Sequence, residues 1–296
     1  GRLSRKVRCH ISQTNCHLYS LPANASVTRP HRATLAGDFQ FSQITTGFIE
    51  LILLPYLYSC ETGRVTNSPA PTVAAFDLDG TLSEGGSVFK WLRFLRGDRA
   101  AFIAGCALAG PLIVGAIRSG PWADRAKERL FRRLLLGQDF NDVRAASRVF
   151  AVEHFEKHGR EWVIARLRWH LREGHDVVIV SASPQVYVDV VREMFDATGG
   201  LGTRLAVDAR GQLTGSYLGK NCRGKEKLRR LSEWMSEHHP DTEPVIYAYG
   251  NSRGDRRLLK GATYPYDVGR LGPLGALRAF PRLRRSMVES PITADE

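Results

Sequence analysis

Three short apolar runs, at residues 73–76, 177–180 and 245–249, have the length and the Val, Ile, Ala and aromatic content of strands buried on both faces. Parallel sheets take this form between layers of helix. Between the runs the apolar period lengthens. Around residues 186–194 and 227–235 apolar side chains recur at intervals of three and four, which predicts helices with one face on a core. Residues 204–218 read as a hairpin turning near 208–211. Strands and helices alternating in this way predict an α/β architecture.

Two stretches break the alternation. From Trp91 to Arg166 no run reads as a strand, and several helices are predicted, punctuated by Gly110-Pro111 and Gly120-Pro121. This places a core at residues 71–91 and 167–275, an inserted helical cap at 92–166 and a tail at 276–296. Near the tail, Leu271, Leu274, Leu277 and Phe280 stand at helical spacing and suit packing across the core. Within the cap, residues 100–117 hold no charged side chain, just reaching the length of a membrane helix. Gly105, Gly110, Pro111 and Gly115 favour a buried helical hairpin instead, while Arg93, Arg96, Arg99 and Arg118 beside it would suit a lipid surface.

The second exception is the beginning. Residues 1–70 are polar, rich in Ser, Thr and Asn, without a sustained period, and close on the linker-like Asn67-Ser68-Pro69-Ala70-Pro71. A poorly ordered N-terminal extension is expected there. The run at 51–57 is interrupted by Pro55 and too short to span a bilayer. The first residue is Gly and no acidic side chain precedes Asp38, which fits a transit peptide, a truncated chain or translation from upstream of the true start. The last is the reading we favour.

Composition changes this picture little. With 43% apolar residues in a chain of 296, disorder throughout is excluded. A formal charge of +12 points to acidic partners, but the basic residues are spread out, with no nucleic-acid module among them. The five cysteines, Cys9, Cys16, Cys60, Cys106 and Cys222, are odd in number and scattered, unlike a disulfide framework. A reducing, cytoplasmic setting is expected. Cys9-His10 and Cys16-His17 match no zinc spacing.

The chemistry concentrates where apolar runs end. Asp77-Leu78-Asp79-Gly80-Thr81 follows the first run, at the carboxyl end of a strand, where α/β sheets bind ligands. A carboxylate there can attack phosphorus, and period-two geometry returns Asp79 to the same side for acid/base work. Gly80 permits a sharp turn that the Thr81 hydroxyl can hold. After the second run, Ser181-Ala182-Ser183-Pro184 offers a hydroxyl and backbone N–H groups entering a helix. Lys225 or Lys227 can supply a cation against phosphate charge. The third run leads into Asn251-Ser252-Arg253-Gly254-Asp255, and oxygen ligands from Asp77 and Asp255 with a backbone carbonyl suit Mg²⁺. Singly, each feature is ordinary turn or cap chemistry; in order, each at a strand end, they support one another.

In that order the four segments resemble motifs I to IV of the haloacid dehalogenase superfamily, in its phosphoserine-phosphatase-like branch (subfamily IB), over about residues 72–275. The resemblance implies a Rossmann-like parallel-sheet core with helices on both faces and an inserted all-helical, C1-type cap. It implies a Mg²⁺-dependent phosphomonoester hydrolase working through an aspartyl-phosphate. By the same resemblance Asp77 is nucleophile and metal ligand, and Asp79 is the general acid/base whose main-chain carbonyl also binds metal. Ser181 is the motif II hydroxyl, Asp255 the metal carboxylate, and Lys227, preferred over Lys225, the motif III lysine. Two departures stand out. Asn251 occupies a place that is commonly Asp, removing a charge from the metal site while keeping a carbonyl for it. Gly86 occupies the place of the Glu that holds the amino group of phosphoserine, which argues against that substrate.

A small phosphorylated substrate is therefore the expected partner, with no nucleic acid. The alternatives are a phosphatase of a lipid-linked phosphate at a membrane surface, motivated by residues 100–117, and a phosphate-binding module without turnover, motivated by Asn251.

Overall fold

The computed structural model describes residues 70–111, 113, 120–269, 277 and 279–288, all within the unit Asn67–Glu296. In chain order the elements are β1 (Thr72–Phe76), α1 (Val88–Arg96), α2 (Asp98–Ala107), α3 (Pro121–Leu135), α4 (Phe140–His158) and α5 (Glu161–Arg172). They continue with β2 (Asp176–Pro184), α6 (Gln185–Met194), β3 (Gly199–Thr203), β4 (Leu205–Val207), β5 (Leu213–Tyr217) and α7 (Lys225–His238). Last come β6 (Val245–Gly250), α8 (Arg256–Lys260) and β7 (Tyr264–Asp267).

Five strands form one parallel sheet in the order β3-β2-β1-β6-β7. Alternation along them sorts the core into two faces. Ala74, Phe76, Val177, Ile179, Tyr247 and Tyr249 share one buried cluster with α5 and α6, whereas Val73, Ala75, Val178, Val180 and Ala248 share another with Leu231 of α7 and Leu258 of α8. Helices therefore cover both faces, as expected, and each fully buried aliphatic side chain contributes about 1.5–3 kcal/mol. Because β1 is central, with β2 on one side and β6 on the other, the direction in which strands are added reverses at it while all strands stay parallel, and this switch opens a crevice at the carboxyl ends of the strands.

The three strands read from the sequence are β1, β2 and β6, and the hairpin is β4 with β5. Two strands had no apolar signal. β3 is Gly-Gly-Leu-Gly-Thr; a Cβ at Gly199 would lie 3.0 Å from the Trp234 indole, and one at Gly202 would lie 2.7 Å from the Gln185 backbone. Close helix approach, not side-chain propensity, selects those residues. β7 contains Pro265, tolerated because the strand is at the sheet edge. β2 also runs beyond its apolar core through Ser181 to Pro184, its pairing irregular after Val180.

Between Val88 and Arg172 the described residues form helices. Pro121 opens α3 in its first turn, and the Asp139 side chain caps α4 by accepting from the N–H groups of Asn141 and Asp142 at 2.8 and 3.1 Å. The uncharged run behaves only partly as expected. In α2, Ala101 and Ala104 are buried, but Phe102 is 70% exposed and Ile103 nearly half so, so the small residues face the protein and the large ones face out. Residues 112 and 114–117 of that run lie outside the described residues, as do 118–119, 1–69 with their cysteines and the 51–57 run, and Leu271 and Leu274. Leu277 is buried and Phe280 packs beside it on the α7 face of the sheet, the packing expected of that segment. Among the described residues no helix is long and apolar enough to cross a membrane.

Candidate active site

The carboxyl ends of β1 and β6 bring the chemistry together. Phe76 is in register with Tyr249, and the Asp77 N–H donates to the Tyr249 carbonyl at 3.0 Å. Asp77 thus leaves the sheet at the crevice, where the residue is 5% exposed. Gly80 then turns the chain with φ +84°, and an added Cβ there would fall 2.0 Å from the Asn251 amide nitrogen. That contact locks the first loop against the loop after β6.

Lys227, in the first turn of α7, reaches across from the opposite side. Its ammonium donates to Asp77 Oδ1 at 2.5 Å and to Asp255 Oδ1 at 2.6 Å, and all three side chains are buried. The Thr81 hydroxyl donates to Asp77 Oδ2 at 2.9 Å, with Asn251 Oδ1 a longer 3.4 Å away. Asp255 Oδ2 accepts from the Ser252 N–H at 2.9 Å and the Ser252 hydroxyl at 2.7 Å, a capping arrangement over the short turn Arg253–Asp255. Two carboxylates therefore share one ammonium. Burial and the Asp255 charge push the Asp77 carboxyl up to about 7, against the pull of Lys227. Burial pulls the Lys227 ammonium down, but the two carboxylates more than offset this and hold it above its ordinary value.

This surplus of buried negative charge tests the fit of a divalent cation. Asp77 and Asp255 present hard oxygen donors within reach of a single ammonium, a set that with a backbone carbonyl suits Mg²⁺. Among the described residues no three side chains of the His, Cys, Asp and Glu types cluster as ligands, so main-chain oxygen, Asn251, water or substrate would complete a shell. The residues fit the ion.

Asp79 faces the other way. Its Oδ1 accepts from the Ser87 N–H and its Oδ2 from the Ser183 hydroxyl, both at 2.6 Å. The Ser181 hydroxyl, buried, accepts the Ser183 N–H at 3.0 Å. Motif II thus spends one backbone donor on its own serine, and Ser183, which the sequence reading treated only as part of a cradle, is the residue bonded to Asp79. Lys127 of α3 donates to the Ala182 carbonyl at 2.6 Å, with its ammonium pushed down to about 8 by burial. Lys127, Arg125, Arg129, Arg132 and Arg133 form a basic run in the cap sequence that could meet a phosphate or carboxylate, but the four arginines are exposed. Arg160, at the start of α5, donates to the carbonyls of Gly80 and Val268 at 2.9 and 2.6 Å, pinning the first loop.

The expected residues Asp77, Lys227, Asp255 and Asn251 are thus adjacent, Asp79 and Ser181 are linked through Ser183, and Lys225 is exposed. Thr81, Ser87 and Arg160 were missed as site residues. Thr81 carried a signal in its place after Asp77-Leu78-Asp79-Gly80; the others, drawn from distant helices and loops, carried none. Two surface clefts of about 590 and 760 Å³ lie along α7, lined by residues such as Arg229 and Glu233, and reach none of Asp77, Asp79, Ser181, Lys227 and Asp255.

A parallel α/β sheet with a buried carboxylate nucleophile candidate, a lysine bridge and a second strand-end carboxylate defines a phosphoryl-handling class of site. Residues 74–260 match the model of the haloacid dehalogenase-like hydrolases. Protein CicA of Caulobacter vibrioides is 31% identical over 64% of this chain and 82% of its own length. A histidinol-phosphatase of Neisseria meningitidis is 23% identical over 66% of this chain and 89% of its own. In fold, a crystal structure of a protein of unknown function from Bordetella pertussis covers 73% of this chain and 99% of its own at TM-score 0.61 and 21% identity. The chain belongs to the haloacid dehalogenase-like hydrolase family.

Proposed function

We propose that this chain is a Mg²⁺-dependent phosphatase that hydrolyses phosphate monoesters through an aspartyl-phosphate on Asp77. The observation that carries this reading is the Lys227 ammonium between Asp77 and Asp255, buried at the carboxyl ends of β1 and β6. Asp77 attacks phosphorus as the ester P–O bond breaks, and Asp79 gives its proton to the departing alkoxide. Water then attacks the phosphorus of the aspartyl-phosphate, loses a proton to Asp79 and releases phosphate with Asp77 regenerated.

Each neighbour has a part in this. The Ser87 N–H and Ser183 hydroxyl orient the Asp79 carboxyl. Thr81 holds Asp77 in one rotamer, and Lys227 offsets the charge of phosphate approaching a carboxylate. Asp77, Asp255, the Asp79 carbonyl and Asn251 would hold Mg²⁺, which supplies charge neutralisation at the transferring oxygens. Helices of the expected cap, residues 92–166, would close over the alcohol portion. The Neisseria relative, a histidinol-phosphatase, is consistent with small phosphomonoesters.

The test is phosphate release from a panel of phosphomonoesters with and without Mg²⁺, comparing the wild type with Asp77→Asn. Loss of release by about four orders of magnitude in the variant is expected. Equal release from both proteins would remove Asp77 as nucleophile.

A further inference from the structure

Among the described residues, buried hydroxyls without a hydrogen-bond partner occur at Ser83, Ser87 and Tyr187, all close in space or in chain to Asp79. Ser83 forms a backbone bridge with Asp79, Ser87 gives Asp79 its N–H, and the Asp79 charge bears on the Tyr187 phenol. Ser87 and Tyr187 are 0% exposed. Their hydroxyls are neighbours, yet no well-formed hydrogen bond joins them. His154, 3% exposed, adds a fourth orphan, its Nε2.

These groups share one wall. Tyr187 lies 5.5 Å from Phe150 and 6.3 Å from Trp91 between ring centroids, and Phe150 stacks on His154 at 5.2 Å. Trp91 itself is satisfied, its indole N–H donating to Ser147 at 2.8 Å. A cleft of about 250 Å³, lined by Lys90, Asp98, Phe150, Glu153, His154 and His158 among others, reaches the Phe150 and His154 end of this wall from outside. The elements that meet here are the loop before α1, α1, α4 and α6, on the Asp79 side of the site, away from the Lys227 bridge.

A buried donor or acceptor left without a partner bears its desolvation cost uncompensated. Several such groups gathered beside the acid that protonates the departing oxygen form a surface that a ligand would complete. The wall holds amphoteric hydroxyls and an imidazole, and no carboxylate among its orphans. We propose that Ser87, Tyr187 and His154 are the specificity determinants for the alcohol portion of the substrate, and that they select an uncharged, hydroxyl-bearing alcohol over an apolar or an ammonium-bearing one. This rests on the phosphatase reading above. Ser87 and Tyr187 hydrogen-bond the alcohol's own hydroxyls, while the rings of Trp91 and Phe150 exclude water.

The experiment compares sn-glycerol 3-phosphate with phenyl phosphate and phosphoethanolamine, in Mg²⁺, for the wild type, Tyr187→Phe and Ser87→Ala. Wild type prefers glycerol 3-phosphate by kcat/KM, and each variant lowers the glycerol-to-phenyl ratio about tenfold, mainly through KM. Melting temperature changes little in Tyr187→Phe, because the lost hydroxyl makes no well-formed hydrogen bond. Ser87→Ala, which keeps the N–H bonded to Asp79, serves should the phenylalanine variant not fold. A wild type that turns over phenyl phosphate or phosphoethanolamine best, or variants that lower all three substrates equally, would overturn the proposal and leave the phosphatase reading standing. A drop in melting temperature with an unchanged ratio would overturn it too, assigning the hydroxyls to internal structure. No turnover of any of the three phosphates would sink the hydrolase reading, and this inference with it.

Discussion

The two ends of the site are built differently. Around Asp77 each charged atom already has a partner: Lys227 and Thr81 hold its two oxygens, and Asp255 is held by Lys227 and Ser252. Around the Ser87, Tyr187 and His154 wall, three polar atoms are buried with none. The first end is preorganised, so that little rearrangement accompanies charge development on phosphorus. The second is unfinished, which suits a surface whose hydrogen bonds are made by a substrate. Phosphoryl chemistry is the same for every monoester, whereas the alcohol differs, and the satisfied and unsatisfied ends divide along that line.

The sharpest way to break the satisfied end is to remove its ammonium. Lys227→Met leaves Asp77 and Asp255 buried together without a counterion, and a loss of about 3–5 kcal/mol of unfolding free energy at pH 7.5 is expected. Chemical denaturation in Mg²⁺ should show a smaller loss than in chelator, since a divalent cation replaces the missing charge. A loss below about 1 kcal/mol in chelator would mean that the bridge is not the electrostatic centre described here.

The same division explains what was legible in the sequence. Asp77, Asp79, Ser181, Asp255 and Asn251 each follow an apolar run, so strand periodicity both found the element and aimed the residue, and Lys227 sits in the first turn of a helix with clear periodicity. β3 and β7 escaped because glycines chosen for close packing and a proline at an edge carry no apolar pattern. The wall escaped for a different reason. Ser87 is in a loop, His154 in the middle of α4 and Tyr187 on α6, and nothing local distinguishes a tyrosine whose hydroxyl is orphaned from one that merely fills a core. Likewise α2 reads as uniformly apolar, and only its packing shows that the alanines point in and Phe102 points out.

Two histidines sharpen the contrast through pH. His170, on the core helix α5, bonds to Tyr249 and His175 at 2.9 and 2.8 Å, and burial, followed by Arg166 and His175, pulls it down to about 2. Arg166 donates to the Tyr249 hydroxyl, so that hydroxyl donates to His170 Nε2 and the imidazole stays neutral. His154, in the wall, is pulled down to about 4 by burial, then by Lys90 and His158. Each ring takes up a proton at its ordinary pKa of 6.5 when the chain unfolds but resists it when folded. Stability is therefore full above that pH and falls as pH drops, by up to about 1.4 kcal/mol per unit for the His170 term. The His154 term ends near pH 4, whereas that of His170 continues toward pH 2. Asp77, pushed up to about 7, acts in the opposite sense below that pH but is common to all the proteins compared. Urea midpoints between pH 7 and 4 should decline less steeply in His154→Phe and in His170→Gln than in the wild type. Parallel curves for all three would remove the buried imidazoles as the cause.

The smallest expected effect probes where the satisfied end departs from the family pattern. Asn251→Asp adds a carboxylate beside Asp77 and Asp255, and the Mg²⁺ concentration for half-maximal phosphate release should fall about three- to tenfold, worth roughly 0.7–1.4 kcal/mol. The same charge should lower stability in chelator, since a third carboxylate joins two that already share one ammonium. Thr81 links the two effects. Its hydroxyl now favours Asp77 Oδ2 at 2.9 Å over Asn251 Oδ1 at 3.4 Å, and a carboxylate at 251 would compete for that proton as a stronger acceptor. If it wins, Asp77 loses a positioning bond and kcat at saturating Mg²⁺ falls even as metal affinity rises. An unchanged Mg²⁺ dependence would instead limit residue 251 to its packing over Gly80, and would leave Asp77, Asp255 and main-chain oxygen as the ion's protein ligands.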